Sequence, residues 1–188
     1  WKHTSPGNSK STLIVTHDID ALSSVNLMQS FANYEDSLKM GSTYFMTVHY
    51  INDLISAFYD SSIADLNLLI TKNRTIASHS IGHFSDMDDS TIVLTGASGN
   101  TRLNYSPANN GGSTTNATIW GELEVSKNLL QTDCNTTVRS FRPGYLLVHP
   151  KQMKIMDTLN YEFSSSYTAP DVLTNFPYFI HEDKSFQS

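Results

Sequence analysis

The chain has 188 residues, of which 39% are hydrophobic and 16% charged, and it carries a formal net charge of -6. That length suits one domain with its own core, and the composition is too apolar for a disordered chain. With only 12 Lys and Arg, scattered rather than grouped, no basic face exists for nucleic acid or for an anionic membrane surface.

No apolar run approaches the roughly 18 residues needed to cross a bilayer, so no membrane span is expected. Cys134 is the single cysteine, which excludes an internal disulfide and says nothing of compartment. Residues 1–11 read as a polar N-terminal segment. Because the chain starts at Trp1 rather than Met, removal of an upstream signal, anchor or domain is expected.

In chain order, residues 12–16 (TLIVT) form a short β-branched run that ends in His17-Asp18-Ile19-Asp20, as a buried strand ends in a functional loop. Residues 23–40 have helical spacing, with Gly41 as the stop, and residues 43–48 read as a second strand. A helix over 51–72 and a brief strand over 75–78 lead into His79-Ser80-Ile81-Gly82-His83. Residues 84–116 are rich in Ser, Asn, Gly, Asp and Thr and read as a long surface insertion, strand-like only over 91–95. A helix over 118–132, a strand over 137–141 ending in Arg142-Pro143-Gly144-Tyr145, a helix over 149–159 and a strand over 161–165 complete the pattern before an irregular tail.

Strands alternating with helices predict a parallel α/β sheet or barrel, in which functional groups gather where strands end. A complete eight-fold barrel takes about 250 residues. Five or six units therefore predict a distorted, incomplete (β/α) barrel, one domain over 12–188, truncated toward its C-terminus.

All three polar clusters follow strands. His79 and His83, four apart, can aim two imidazoles at one cation, although such a pair alone more often does structural work. Asp18 and Asp20 at a strand end have an ordinary reading as helix caps. Two His and one Asp, however, form a familiar divalent-metal set that leaves positions for water and substrate, with the neighbouring carboxylate free to act as a base. Arg142-Pro143-Gly144-Tyr145 supplies a fixed cation, a rigid turn and backbone amides able to face an oxyanion, where the plain alternative is a surface turn.

Taken together, the clusters resemble the first three motifs of the polysaccharide deacetylases, the NodB-like domain of carbohydrate esterase family 4, from residue 12 to about residue 166. Residues 16–20 are similar to the first motif in its Asp-x-Asp form, which implies Asp18 as catalytic base and Asp20 as metal ligand, with the two roles exchangeable. His79 to His83 resembles the His-Ser/Thr-x-x-His motif, implying His79 and His83 as metal ligands and Ser80 as a loop support. Residues 140–145 resemble the third motif, implying that Arg142 orients the base and that backbone at Tyr145 helps form the oxyanion site. Two departures stand out: Gly144 intervenes after Pro143, and the Leu-x-His segment that carries the general acid has no match before Ser188. His181-Glu182-Asp183 lacks the context of that segment, which is expected in sequence beyond Ser188.

The resemblance implies a metal-dependent hydrolase that removes acetyl groups from N-acetylated glycans. It further implies zinc as the cation, with cobalt, nickel or manganese as substitutes, and an extracellular, periplasmic or cell-surface location. The rival expectation is a carbohydrate-binding or scaffolding module of the same fold with catalysis impaired. Tyr44, Phe84, Tyr105, Trp120 and Tyr167 are candidate sugar-stacking aromatics, against the usual fate of aromatics in a core.

Overall fold

The computed structural model describes residues 13–89, 101–110 and 113–166. Its elements are β1 (Val15–Ile19), α1 (Leu22–Ser37), β2 (Ser42–Met46), α2 (Tyr59–Thr71), β3 (Thr75–Ser78), β4 (Ala108–Asn110), β5 (Ser113–Thr115), α3 (Ile119–Asp133), β6 (Ser140–Phe141), α4 (Gln152–Thr158) and β7 (Phe163–Ser164). Five strands form one parallel sheet in the order β1-β2-β3-β6-β7, and β4-β5 is a separate antiparallel hairpin. The expected α/β architecture is present, with an open sheet among the described residues. The strand-like stretch 91–95 and the C-terminal tail lie outside the described residues.

Chain chemistry explains the punctuation. Asn73, Asn135 and Asn160 take positive φ of 63, 45 and 56 degrees one residue past the C-caps of α2, α3 and α4. Asparagine tolerates this left-handed geometry, which turns the chain back toward the next strand. At α1 the same task falls to Lys39, at φ 54 degrees, two residues before the expected stop at Gly41. The α3 N-terminus is capped by Thr118, whose hydroxyl accepts from the Gly121 N–H at 2.9 Å.

Two boundaries differ from expectation for physical reasons. The predicted 51–72 helix begins only at Tyr59, because Asn52 and Asp53 accept hydrogen bonds from the Ala57 and Ile55 amides at 2.8 and 3.1 Å. Those side chains offer the backbone a competing, non-helical arrangement. β1 starts at Val15, where Ser42 of β2 supplies its first ladder partner, so His17 and Asp18 lie inside the strand rather than after it.

Alternation along β1 then sorts the side chains. His17 stacks between Phe31 and Tyr44 and bonds Glu35 at 2.5 Å, beneath α1, while Thr16 and Asp18 reach Arg142 on the opposite face. Glu35 also accepts from Ser42, Tyr44 and Arg74. Burial opposes its charge, but the bonds from Ser42 and His17 prevail and hold its pKa below the ordinary carboxylate value.

The core joins Met28, Tyr44, Met46, Tyr59, Leu66, Leu69, Ile76, Leu123 and Phe141, all fully buried. Tyr44, Phe84 and Tyr105 are 0%, 1% and 0% exposed, which corrects their candidacy as sugar platforms: they are core. Trp120 is half-buried and donates its indole N–H to Glu124 at 2.6 Å. Tyr167 lies outside the described residues. Tyr105, from the region read as a loose insertion, is seated against α3 so tightly that a Cβ on Gly121 would stand 2.2 Å from its ring. Overpacking of this kind costs about 1 to 3 kcal/mol. A Gly121→Ala substitution is expected to lower unfolding free energy by about that amount, measured by denaturant titration, and an unchanged midpoint would contradict the packing described.

Candidate active site

The ladder carries the three clusters to one end of the sheet. Asp18 pairs in register with Phe45, Met46 with Ser78, and Ser78 with Phe141, so Asp18, His79 and Arg142 sit at the same edge. Asp20 follows β1 at the entrance to α1, beside Ser24, whose hydroxyl accepts from the Ala21 N–H at 3.0 Å.

Arg142 is the best-fixed side chain. Its guanidinium donates to Asp18, to Thr16 at 3.1 Å and to Ser165 at 2.7 Å, and it lies over the Phe45 ring at 4.1 Å. The carboxylate of Asp18 is thereby held in one direction by a charge-assisted hydrogen bond. Its other oxygen stands 3.9 Å from Nε2 of His79, and an oxygen of Asp20 stands 3.7 Å from Nε2 of His83. Both separations exceed hydrogen-bond distance, so these are facing pairs rather than bonded ones.

His79 is 2% exposed, and its Nδ1 lies 2.7 Å from the Arg142 carbonyl, a partner that can only accept. Nδ1 therefore carries the proton and Nε2 presents its lone pair to the carboxylates. Burial pushes the pKa of His79 well down, against the raising effects of the Arg142 carbonyl and Asp18. Burial likewise lowers His83, opposed by Asp20 and Asp18. Two neutral imidazoles, with ring centroids 4.8 Å apart, thus face two carboxylates.

Backbone strain is concentrated here. Ser80, His83, Tyr145 and Leu146 have positive φ of 72, 50, 53 and 59 degrees, a geometry that costs non-glycine residues free energy and clusters at functional sites. The Ser80 hydroxyl accepts from the His83 N–H at 3.1 Å, the loop-supporting role implied for it. Gly144 lies close against His83: a Cβ there would stand 3.0 Å from the ring and crowd it. Tyr145 is 64% exposed and packs its ring against His83 at 4.7 Å, forming an open wall of the site.

All six residues singled out from the sequence therefore meet. They meet as two pairs and a bridge: among the described residues, no group of three or more His, Cys, Asp or Glu stands ready to hold an ion. Sequence reasoning missed Thr16, Phe45 and Ser165, which fix Arg142, because their signal is strand register rather than motif. It also missed Glu122, whose fully buried carboxylate accepts from the Ile81 and Gly82 amides at 2.8 and 2.9 Å and from the Tyr105 hydroxyl at 2.6 Å. Burial raises the Glu122 pKa to about 7, against the lowering effect of those bonds. A groove of about 420 Å³ lined by Glu124, Lys127, Gln131 and Arg139 lies near the start of β6, at the other end of the sheet, and contains none of the site residues.

No family profile matches the chain, and no curated protein matches it significantly. Solved structures do. A family 4 carbohydrate esterase from Streptomyces lividans in complex with acetate superposes with a TM-score of 0.55 at 13% identity, over 82% of this chain and 62% of that one. The Bc1960 peptidoglycan N-acetylglucosamine deacetylase gives 0.54 at 10% identity, over 80% and 54%. A CE4 family pseudoenzyme from Bacillus anthracis gives 0.53 at 12% identity, over 80% and 42%. The chain thus spans about half the length of these structures, and its fold is that of the NodB-like family 4 carbohydrate esterases.

In chelator-treated protein, both His79 and His83 are expected to titrate below the ordinary imidazole pKa of 6.5. Side-chain nitrogen NMR reads this, and a titration midpoint at or above 6.5 for either ring would contradict the burial described.

Proposed function

We propose that the chain is a metal-dependent deacetylase that removes N-acetyl groups from a polysaccharide or peptidoglycan sugar. The observation that carries this reading is the Asp18–Arg142 pair set against two neutral imidazoles, with Asp20 completing the ring of donors.

The donor chemistry fits a divalent ion, zinc first and cobalt, nickel or manganese as substitutes. Of the facing pairs, Asp20 and His83 are both members of this donor set, and their donor atoms stand 3.7 Å apart. Asp20, His79 and His83 would hold the ion, and His79 already has the Nδ1 partner that fixes a ligating imidazole. When bound, the ion would supply polarisation of the acetamide carbonyl and acidification of water.

The chain's own groups then divide the work. Asp18, oriented by Arg142, takes the proton from the attacking water at its carboxylate. The backbone N–H at Tyr145 is the donor this reading assigns to the oxygen that gains charge as the carbonyl carbon becomes tetrahedral. Water adds across the amide bond, and acetate and a free amine leave. The Tyr145 ring, exposed beside His83, offers an apolar face for the sugar. An extracellular, periplasmic or cell-surface location accompanies such a polymer substrate.

A second reading, a carbohydrate-binding or scaffolding module with catalysis impaired, is favoured by two observations. One fold relative is described as a pseudoenzyme, and the four donors here face one another in pairs without a ready three-donor shell. Acetate release from chitin oligosaccharides and peptidoglycan fragments, with zinc supplied, separates the two. Under the deacetylase reading, Asp20→Ala and His79→Ala abolish zinc binding and acetate release together. Asp18→Asn keeps zinc binding but lowers kcat by about 10²- to 10⁴-fold. Wild-type protein that binds oligosaccharide and zinc yet releases no acetate would establish the module instead.

A further inference from the structure

Glu122 has no part in the proposed reaction, yet its carboxylate is fully buried and wholly occupied. Oε2 accepts from Ile81 N–H at 2.8 Å and Gly82 N–H at 2.9 Å, and Oε1 accepts from the Tyr105 hydroxyl at 2.6 Å. Ile81 and Gly82 are the two residues that join Ser80 to His83, and both of those flanking residues have positive φ. A segment that leaves the sheet at His79, turns through two left-handed positions and returns an imidazole to the same space needs something to hold its middle. Helical or strand partners are unavailable to amides in such a turn, and buried amides without acceptors are costly.

We propose that Glu122 is a positioning residue for the His79–His83 pair. Its two-point acceptance fixes the intervening amides and so aims both Nε2 atoms at one locus. The device depends on reach rather than on charge. The carboxylate's other oxygen is tied to Tyr105, within the 84–116 stretch, where Gly121 leaves room for the ring. Tyr105 thereby supports the histidine loop through its hydroxyl. This inference rests on the metal-site reading above and deepens it.

Two substitutions separate reach from charge. Glu122→Gln keeps the length: its carbonyl oxygen takes both amides, while its NH2 donates to the Tyr105 oxygen, whose own proton turns to the Thr118 carbonyl 3.3 Å away, so the tether to Tyr105 is retained. Glu122→Asp keeps the charge but withdraws the acceptor by one methylene. Zinc affinity of chelator-stripped protein is measured by competition with a chromophoric chelator, below each variant's unfolding midpoint. Glu122→Gln is expected to bind within about threefold of wild type and Glu122→Asp about 10- to 100-fold more weakly, the range for lost supporting contacts behind a metal ligand. Glu122→Asp binding like wild type overturns the proposal, as does Glu122→Gln weakened as far as Glu122→Asp. Should Glu122→Asp fail to fold, Tyr105→Phe carries the test: a loss of about fivefold supports the proposal and an unchanged affinity overturns it. Wild-type protein that binds no zinc removes the metal reading and this inference with it, whereas retained binding in every variant removes the inference alone.

Discussion

Arg142 ties the two halves of the site together by opposite ends of the same residue. Its guanidinium holds Asp18 on β1, and its carbonyl holds Nδ1 of His79 after β3. One rotation of the backbone at 142 would release a carboxylate and reverse a tautomer together. The sheet order prevents this, because the Arg142 N–H is itself bonded to the Ser78 carbonyl at 3.0 Å and Ser165 N–H to the Phe141 carbonyl at 2.9 Å. Solvent reaches both partners of the ion pair, at 13% and 39% side-chain exposure. The pair is therefore worth more as an orienting contact than as a source of stability.

Geometry of this kind demands an unrelaxed backbone. Four non-glycine residues in left-handed conformation line one end of the sheet, and the surrounding contacts determine each: the Ser80 hydroxyl bonded to the His83 amide, Gly144 against the His83 ring, and the Leu147 N–H bonded to the Gly144 carbonyl at 3.1 Å. At the opposite end, positive φ is assigned to Asn at three helix exits, where it is cheap. The contrast separates strain that serves a fold from strain that serves a site.

Periodicity and local punctuation made the α/β pattern legible, and strand ends announced where polar clusters belong. The motif residues Asp18, Asp20, His79, His83, Arg142 and Tyr145 could be read because each lies within a short stretch of contrasting polarity. Glu122 could not: it sits on α3 between Gly121 and Leu123, where a single Glu reads as a solvated helix position, and its partners are 17 and about 40 positions away. Thr16 and Ser165 were hidden for the same reason, since a hydroxyl becomes an arginine anchor only through the register of non-adjacent strands. Tyr44 and Tyr105, stacking candidates set against the usual place of aromatics in a core, take that core place, where the buried acids Glu35 and Glu122 accept their hydroxyls.

The span of the Asp18–Arg142 contact, 124 positions along the chain, bears on the order of assembly. During synthesis the N-terminal strands emerge first, so both carboxylates and both imidazoles can come together while the guanidinium is still absent. The last polar partner arrives only when β6 docks on β3. Until then the acidic edge of β1 is unpartnered, and the half-built sheet lacks the contact that fixes the tautomer of His79. Anything that afterwards occupies these groups jointly binds the finished fold and no earlier form, and by mass action it draws the chain toward completion.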